Sequence, residues 1–241
     1  MATFRGLGLP GDYFLEFDLE VLPRKGERSV VTGRMWGSRT IQGPVFRASI
    51  NAPVDGAESE VLLGQNGPES AAWRYQADEP TAQVERLSAA QLLDPIGATN
   101  LSMFELQMPF VYWDDFVYEG VTKVRGRAVH AFLMYPPAEF AAAHDHIAGV
   151  RLHLDAQFNA LVQAVILDAD EQPQRKLTVL DLKKLGDQWI VKSIDVREEA
   201  TRDKVRFEVT GAALDLDFAP GLFAPAALSD AVRSPARVER F

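Results

Sequence analysis

The chain has no cysteine, which removes disulfides, zinc-thiolate sites and thiol nucleophiles together. The redox compartment stays open, because a cysteine-free chain suits cytosol and periplasm alike. No window approaches the roughly 20 apolar residues that a membrane-spanning helix needs, so no transmembrane segment is expected. The opening MATFRGLGLPG has too short an apolar stretch after its basic residue for a secretory signal. Two readings follow: a cytosolic protein, or one whose leader has been removed. Positive charge is also scarce, with 25 Lys and Arg against 34 Asp and Glu and a net charge of -9. Phosphate recognition requires clustered cations whose contacts release counterions, and no such cluster occurs, so nucleic acid is not an expected partner. The nucleophile elbow G-x-S-x-G, the dinucleotide fingerprint and the Walker loop are all missing. GLGLPG at 6–11 is rich in glycine, but it precedes the first strand instead of following one.

What the chain does contain is alternation. In GDYFLEFDLEVLP, Tyr13, Leu15, Phe17, Leu19 and Val21 fall on one face and Glu16, Asp18 and Glu20 on the other, which predicts a half-buried strand. Turn signals recur at PRKGE, GP (43–44), NAPVDG, GQNGP and ADEP, with strands expected near 28–36, 45–51, 58–64, 71–76 and 82–87. That spacing belongs to antiparallel hairpins. SAAQLLDPIG breaks the pattern and predicts a short helix with Ser88 as N-cap and Pro95 at its end. Another short helix, capped near Asn100 or Ser102, is expected before Pro109.

Strands resume in FVYEGVTKVRGRAVHAFLMYPP, joined at 124–127, the second apolar on both faces and so expected in the middle of its sheet. PAEFAAAHDH reads as a brief helix or turn. GVRLHLDA, ALVQAVILDA, RKLTVLDLKKLG, QWIVKSIDVRE and DKVRFEVTGAAL then predict a five-stranded meander. DFAPGLFAPAAL reads as extended and SPARVERF as a loose tail. No linker or repeat interrupts the chain, so residues 1–241 are expected to form a single domain.

His144, His146 and His153 lie close in sequence and could hold zinc or copper if Asp145 or Asp155 joined them. The alternative is surface histidines: a strand over 150–155 with Leu152 and Leu154 inward turns His153 to solvent. The carboxylate pairs Asp114/Asp115, Asp168/Asp170 and Asp215/Asp217 sit in turns, where both members are solvated, whereas acid/base catalysis needs unlike environments. No catalytic residue, metal site or cofactor is therefore assigned.

A single antiparallel sheet of about ten strands cannot stay flat; accumulated twist makes it curl, and few helices are available to cover one face. The hollow so formed would be lined by Leu15, Phe17, Leu19, Trp36, Phe46, Ile50, Leu133, Val205 and Phe207, with Phe104, Met108 and Phe110 in the covering segment. The same residues would also make an ordinary filled core.

The segment SMFELQMPFVYWDDFVYEGVTKVRGRAVHAFLMYPP, with Tyr112 and Trp113, Glu119 and Gly120, the Arg125–Arg127 turn and Pro136, resembles the bacterial outer-membrane lipoprotein-sorting proteins, relatives of the carriers LolA and LolB. The strand order through VRLHLDAQFNALVQAVILDADEQPQRKLTVLDLKKLGDQWIVKSIDV continues that resemblance over the C-terminal two-thirds of the chain. It implies a mainly β fold in which one strongly curved antiparallel sheet makes an open or half barrel, with short helices over the concave face. It implies non-enzymatic binding or transport of a lipid or lipoprotein acyl chain in the periplasm. Expected partners are then a lipid or acylated lipoprotein, and an envelope protein that accepts the cargo. A cytoplasmic location is left open. The alternative on the same fold is an envelope sensor or protein-interaction module.

Overall fold

The computed structural model describes residues 1–6, 8–51, 58–77 and 82–241. The central residues of the expected turns NAPVDG and ADEP lie outside the described residues. Among those described, fourteen strands form one antiparallel sheet. They are β1 (Asp12–Leu22), β2 (Ser29–Thr40), β3 (Gly43–Asn51), β4 (Glu58–Gln65), β5 (Ala71–Gln76), β6 (Glu85–Arg86), β7 (Phe116–Val124), β8 (Arg127–Met134), β9 (Gly149–Asp155), β10 (Leu161–Leu167), β11 (Pro173–Leu185), β12 (Gln188–Glu198), β13 (Lys204–Leu216) and β14 (Glu239–Arg240). Short α-helices α1 (Ala2–Gly6), α2 (Met103–Gln107) and α3 (Ala138–Ala143) accompany 3₁₀ turns at Ala90–Leu93, Pro109–Tyr112, Pro220–Phe223 and Pro225–Ala227.

The sheet order is β6-β5-β4-β3-β2-β1-β13-β12-β11-β10-β9-β8-β7, with β14 added on β13. β1 and β13 therefore join two meanders, and β6 and β7 are the outer edges. The chain passes from one edge to the other through a single crossover, residues 87–115, and that crossover reports the curvature. Gln107 donates from Nε2 to the carbonyl oxygens of Gln65 (2.9 Å) and Ala71 (3.1 Å) on β4 and β5. Two residues earlier, Glu105 is ion-paired at 2.7 Å with Arg175 of β11. β5 and β11 are seven places apart in the order, so at about 4.8 Å per strand a flat sheet would separate them by roughly 33 Å. One helical turn cannot bridge that gap, so the sheet is rolled around the crossover.

Alternation in β1 sends Leu15, Phe17 and Leu19 into the main apolar core, while Glu16, Asp18 and Glu20 face outward. Opposite them, β2 puts glycine on the inner face. A Cβ on Gly33 would stand 2.4 Å from the Phe17 ring, and one on Gly37 only 2.0 Å from that of Tyr13. Both glycines are sockets for aromatic rings. Gly37→Ala is expected to cost about 1–3 kcal/mol through overpacking, read as a lower urea midpoint; an unchanged midpoint would contradict the socket.

The outer face is covered as well along β3, whose residues 45–50 are buried on both faces, and along its neighbour β4. Val45, Val61 and Leu63 pack with Leu228 in a separate cluster. Arg47, 1% exposed, donates to the carbonyl oxygens of Ala227 (2.7 Å), Leu228 (3.3 Å) and Asp230 (2.6 Å). The segment expected to be extended thus forms two proline-initiated 3₁₀ turns, bonded down by an arginine. The expected loose tail ends in β14. β8, expected to be buried on both faces and in the middle of the sheet, instead has its first two residues exposed and His130 and Phe132 half-buried, and it stands one strand from the edge, because β7 pairs only with it.

Candidate functional site: the inner face and its uncovered strip

Ser102 opens α2 with a capping box: its backbone N–H donates to the Glu105 carboxylate at 2.8 Å, and its hydroxyl donates to the same oxygen. Glu105 is 2% exposed, and burial pushes its carboxyl above the usual carboxylate range, opposed by Arg175 and then Ser102. Arg175 also donates to the Asn100 carbonyl at 2.7 Å. The crossover is further held by the Gly97 N–H on Glu60 (2.8 Å), by Arg5 on the carbonyls of Val111 and Trp113, and by a bond between His144 Nε2 and the Ala89 carbonyl (2.8 Å). Between these polar anchors lies an aromatic cluster. Phe104 stacks on Phe140 at 4.8 Å and meets Phe110 edge-on at 5.2 Å, with Trp113 at 6.0 Å.

Successive rows of the inner face differ in how they are covered. Val205, Val196, Leu177, Ala164 and Leu152 are register neighbours across β13, β12, β11, β10 and β9, and all are buried in one cluster with the crossover. One step along, Phe207 on β13, Ile194 on β12 and Val179 on β11 are also register neighbours, but each is only half-buried. Beyond Phe207, Val209 is buried again. The strip resumes towards the β7 edge with half-buried Leu161, Leu154, half-buried His130 and exposed Val121, opposed in that order. At that lip Tyr118 and His130 share a hydrogen bond of 2.9 Å, and Phe132 packs against Tyr118 (5.1 Å) and Phe116 (6.1 Å). The result is an apolar strip across several strands with one polar pair at its end.

Of the residues named from sequence, Leu15, Phe17, Leu19, Phe46, Ile50, Phe104, Phe110 and Val205 are brought together in the main core cluster, and Phe207 and Met108 are half-buried against it. Trp36 and Leu133 are not on this face. Trp36 packs edge-on to Phe14 at 5.3 Å on the outer side, because the inner positions of β2 belong to Val31, Gly33, Met35 and Gly37. Leu133 joins Val165 and Leu167 in an outer cluster, and Met134 faces inward in its place. The sequence pattern did not single out Val179, Ile194, Leu161, Val121 or the Tyr118–His130 pair; bulges next to Leu161 in β10 and Tyr118 in β7 interrupt the alternation there.

The surface reading of the histidines needs correction. His153 does point outward, but it is 8% exposed, and burial with the neighbouring Arg151 lowers its pKa. Its outer surroundings are occupied by Arg151, which Glu119 grips through two hydrogen bonds (2.6 and 2.9 Å). His144 is buried too, while the side chain of His146 is 64% exposed. Among the described residues no group of three metal-ligating side chains converges. Of the carboxylate pairs, Asp114 is solvated with its side chain 94% exposed, and Asp168 is spent on the turn N–H groups of Asp170 and Gln172.

A rolled, unclosed antiparallel sheet with a crossover packed on its apolar inner face defines an open barrel. The solved structures agree. A DUF1329 family protein from Desulfovibrio piger superposes with a TM-score of 0.78 at 14% identity, over 95% of each chain. An outer membrane lipoprotein-sorting protein domain from Vibrio parahaemolyticus gives 0.75 at 15% identity, over 90% of this chain and 91% of that one. A LolA superfamily protein from Nitrosomonas europaea gives 0.63 at 9% identity, over 89% and 90%. These likenesses establish the fold. No protein-family model and no curated protein sequence matches the chain. No helix among the described residues is long and apolar enough to cross a membrane.

Proposed function

We propose that the chain is a single lipid-binding domain over residues 1–241 that takes up a lipid or a lipoprotein acyl chain without catalysis, in the bacterial periplasm, with an envelope protein as the acceptor of its cargo. The observation that carries this reading is the half-buried row Phe207–Ile194–Val179, which borders the buried row Val205–Val196–Leu177 on the same face. Apolar side chains left half-wet inside a rolled sheet gain about 25 cal/mol for each Å² removed from water. An acyl chain lying on a few hundred Å² would therefore gain several kcal/mol before ordering losses. Tyr118 and His130, hydrogen-bonded at 2.9 Å, give the polar end of an amphiphile its partners. The core residues Leu15, Phe17, Leu19, Phe46, Ile50 and Val205 hold the wall rigid, and Phe104, Met108 and Phe110 belong to the cover that closes over the occupant. The lipoprotein-sorting and LolA superfamily structures on this fold agree with cargo of that class.

Native mass spectrometry of protein expressed in a bacterial periplasm tests the reading. It predicts a co-purifying acyl species on part of the population, lost on delipidation and regained from added phospholipid or triacylated peptide. An apo mass alone, unchanged by added lipid, would contradict it.

A further inference from the structure

The ladder between β12 and β13 stops early. It runs from Arg197 opposite Lys204 to Ser193 opposite Glu208, and beyond that the two strands diverge. Across the gap Gln188 Nε2 donates to Asp215 Oδ1 at 2.9 Å. Into this slot the chain inserts its own residues 239–241. Glu239 and Arg240 pair with Ala212 and Gly211, and the Phe241 N–H donates to the Thr210 carbonyl at 3.0 Å. A groove of 1210 Å³ runs alongside, bordered by Asp187, Gln188, Ala213, Asp215, Pro235 and Val238.

Each inserted residue meets a distinct recognition element. The Arg240 guanidinium donates to both oxygens of Glu16, at 2.9 and 3.1 Å. The Phe241 ring is faced by the ammonium groups of Lys183 (4.8 Å) and Lys192 (6.0 Å). Gly211 lets the segment approach: a Cβ there would stand 3.0 Å from Val238 and from Glu16, and 3.3 Å from Arg240. Yet the attachment is slight. Two ladder pairs hold it, residues 231–238 leading to it form neither helix nor strand, and the Arg240 side chain is 75% exposed, where an ion pair contributes little. Close by, Trp189 and Val191 of the diverging half of β12 are exposed, at 61% and 38%.

We propose that the β12–β13 slot is a strand-docking site for a protein partner, an extended segment carrying an arginine followed by an aromatic residue, and that residues 239–241 occupy it in cis as an exchangeable stand-in. The charge pattern selects that partner: Glu16 for the guanidinium, Lys183 and Lys192 for the ring, and the free edge of β13 for the backbone, as in β-strand addition.

The slot is emptied in the full chain by the double substitution Arg240→Glu and Phe241→Ser, and the probe is a fluorescein-labelled peptide of sequence ARVERF followed by anisotropy. The emptied chain should bind the peptide at least about tenfold more tightly than the parent, whose slot is filled. Adding Glu16→Lys or Gly211→Val to the emptied chain should each abolish that gain, with Glu16→Lys, at a surface position, preserving the fold should Gly211→Val fail to fold. Equal peptide binding to parent and emptied chains, or none to either, would overturn the proposal. A concentration-dependent dimer of the parent that the double substitution abolishes would assign the slot to a second copy of this chain instead.

Discussion

Arg175→Ala should destabilise the protein by about 3–5 kcal/mol, because it strands a buried carboxylate whose charge was compensated. Glu105 sits in α2 with its side chain 0% exposed, and Arg175 reaches it at 2.7 Å from β11. The same guanidinium holds the Asn100 carbonyl, so the loss also frees the crossover from the far half of the sheet. Hydrogen exchange should accelerate selectively over residues 100–113. The pH dependence is specific. Burial raises the Glu105 carboxyl above its usual range in the folded state, so the native state binds that proton more tightly than the unfolded chain does. Such a group contributes fully below its unfolded pKa, and the contribution is lost as pH rises through the folded value. Arg175 opposes the rise, so its removal enlarges it. The variant should therefore recover part of its deficit at pH 5 relative to pH 8, measured by urea unfolding at both. An equal deficit at the two pH values would show that Glu105 is not the group left stranded.

Phe104→Ala should cost a comparable amount, about 3–5 kcal/mol, from lost burial plus the cavity left behind. Phe104 is 0% exposed and touches Phe110, Trp113 and Phe140, so it joins α2 to both the following 3₁₀ turn and α3. The deletion empties the middle of that cluster, and a collapse of the aromatic near-UV circular dichroism should accompany the stability loss. A drop below about 1 kcal/mol would mean that the cover repacks freely and that Phe104 does not fix it.

How the sequence conveyed this arrangement depended on range. β1 was legible from Leu15 to Val21, since its apolar and acidic residues alternate there and its register with β2 runs without a shift. The start of α2 was legible to within two residues for a similarly local reason: of the two expected caps, Asn100 and Ser102, it is Ser102 that opens the helix. Arg175, the partner of Glu105, lies seventy residues on, and nothing local marks it. Trp36 was misplaced because hydrophobicity favours it for the interior, while the interior needs Gly33 and Gly37 as sockets for Phe17 and Tyr13. The half-buried strip escaped notice for a related reason. Val179 and Ile194 are ordinary strand residues, and only the path of the crossover decides which row of the inner face stays uncovered. β14 was unreadable because two residues of strand carry no periodicity; its place comes from the gap that β12 leaves.

The stability of the crossover and the proposed uptake of an acyl chain act on one element. Its polar anchors to Glu60, Gln65, Ala71 and Arg175 fix it over the buried rows, and the strip at Phe207, Ile194 and Val179 begins where that cover ends. A chain seated on the strip would extend the apolar core without unfolding the sheet. Cargo larger than the strip would have to lift the crossover, and Arg175→Ala should then loosen its retention as well as the fold.

The most direct test is a fluorescence titration with dansyl-labelled undecanoic acid, comparing the parent with Ile194→Glu, at a half-buried position of the strip outside the buried row. The account predicts saturable binding of one probe per chain with a blue-shifted, enhanced emission, weakened at least about tenfold by a charge set in the apolar strip. Emission that stays unshifted with the parent, or a parent and a folded Ile194→Glu chain that bind alike, would contradict it.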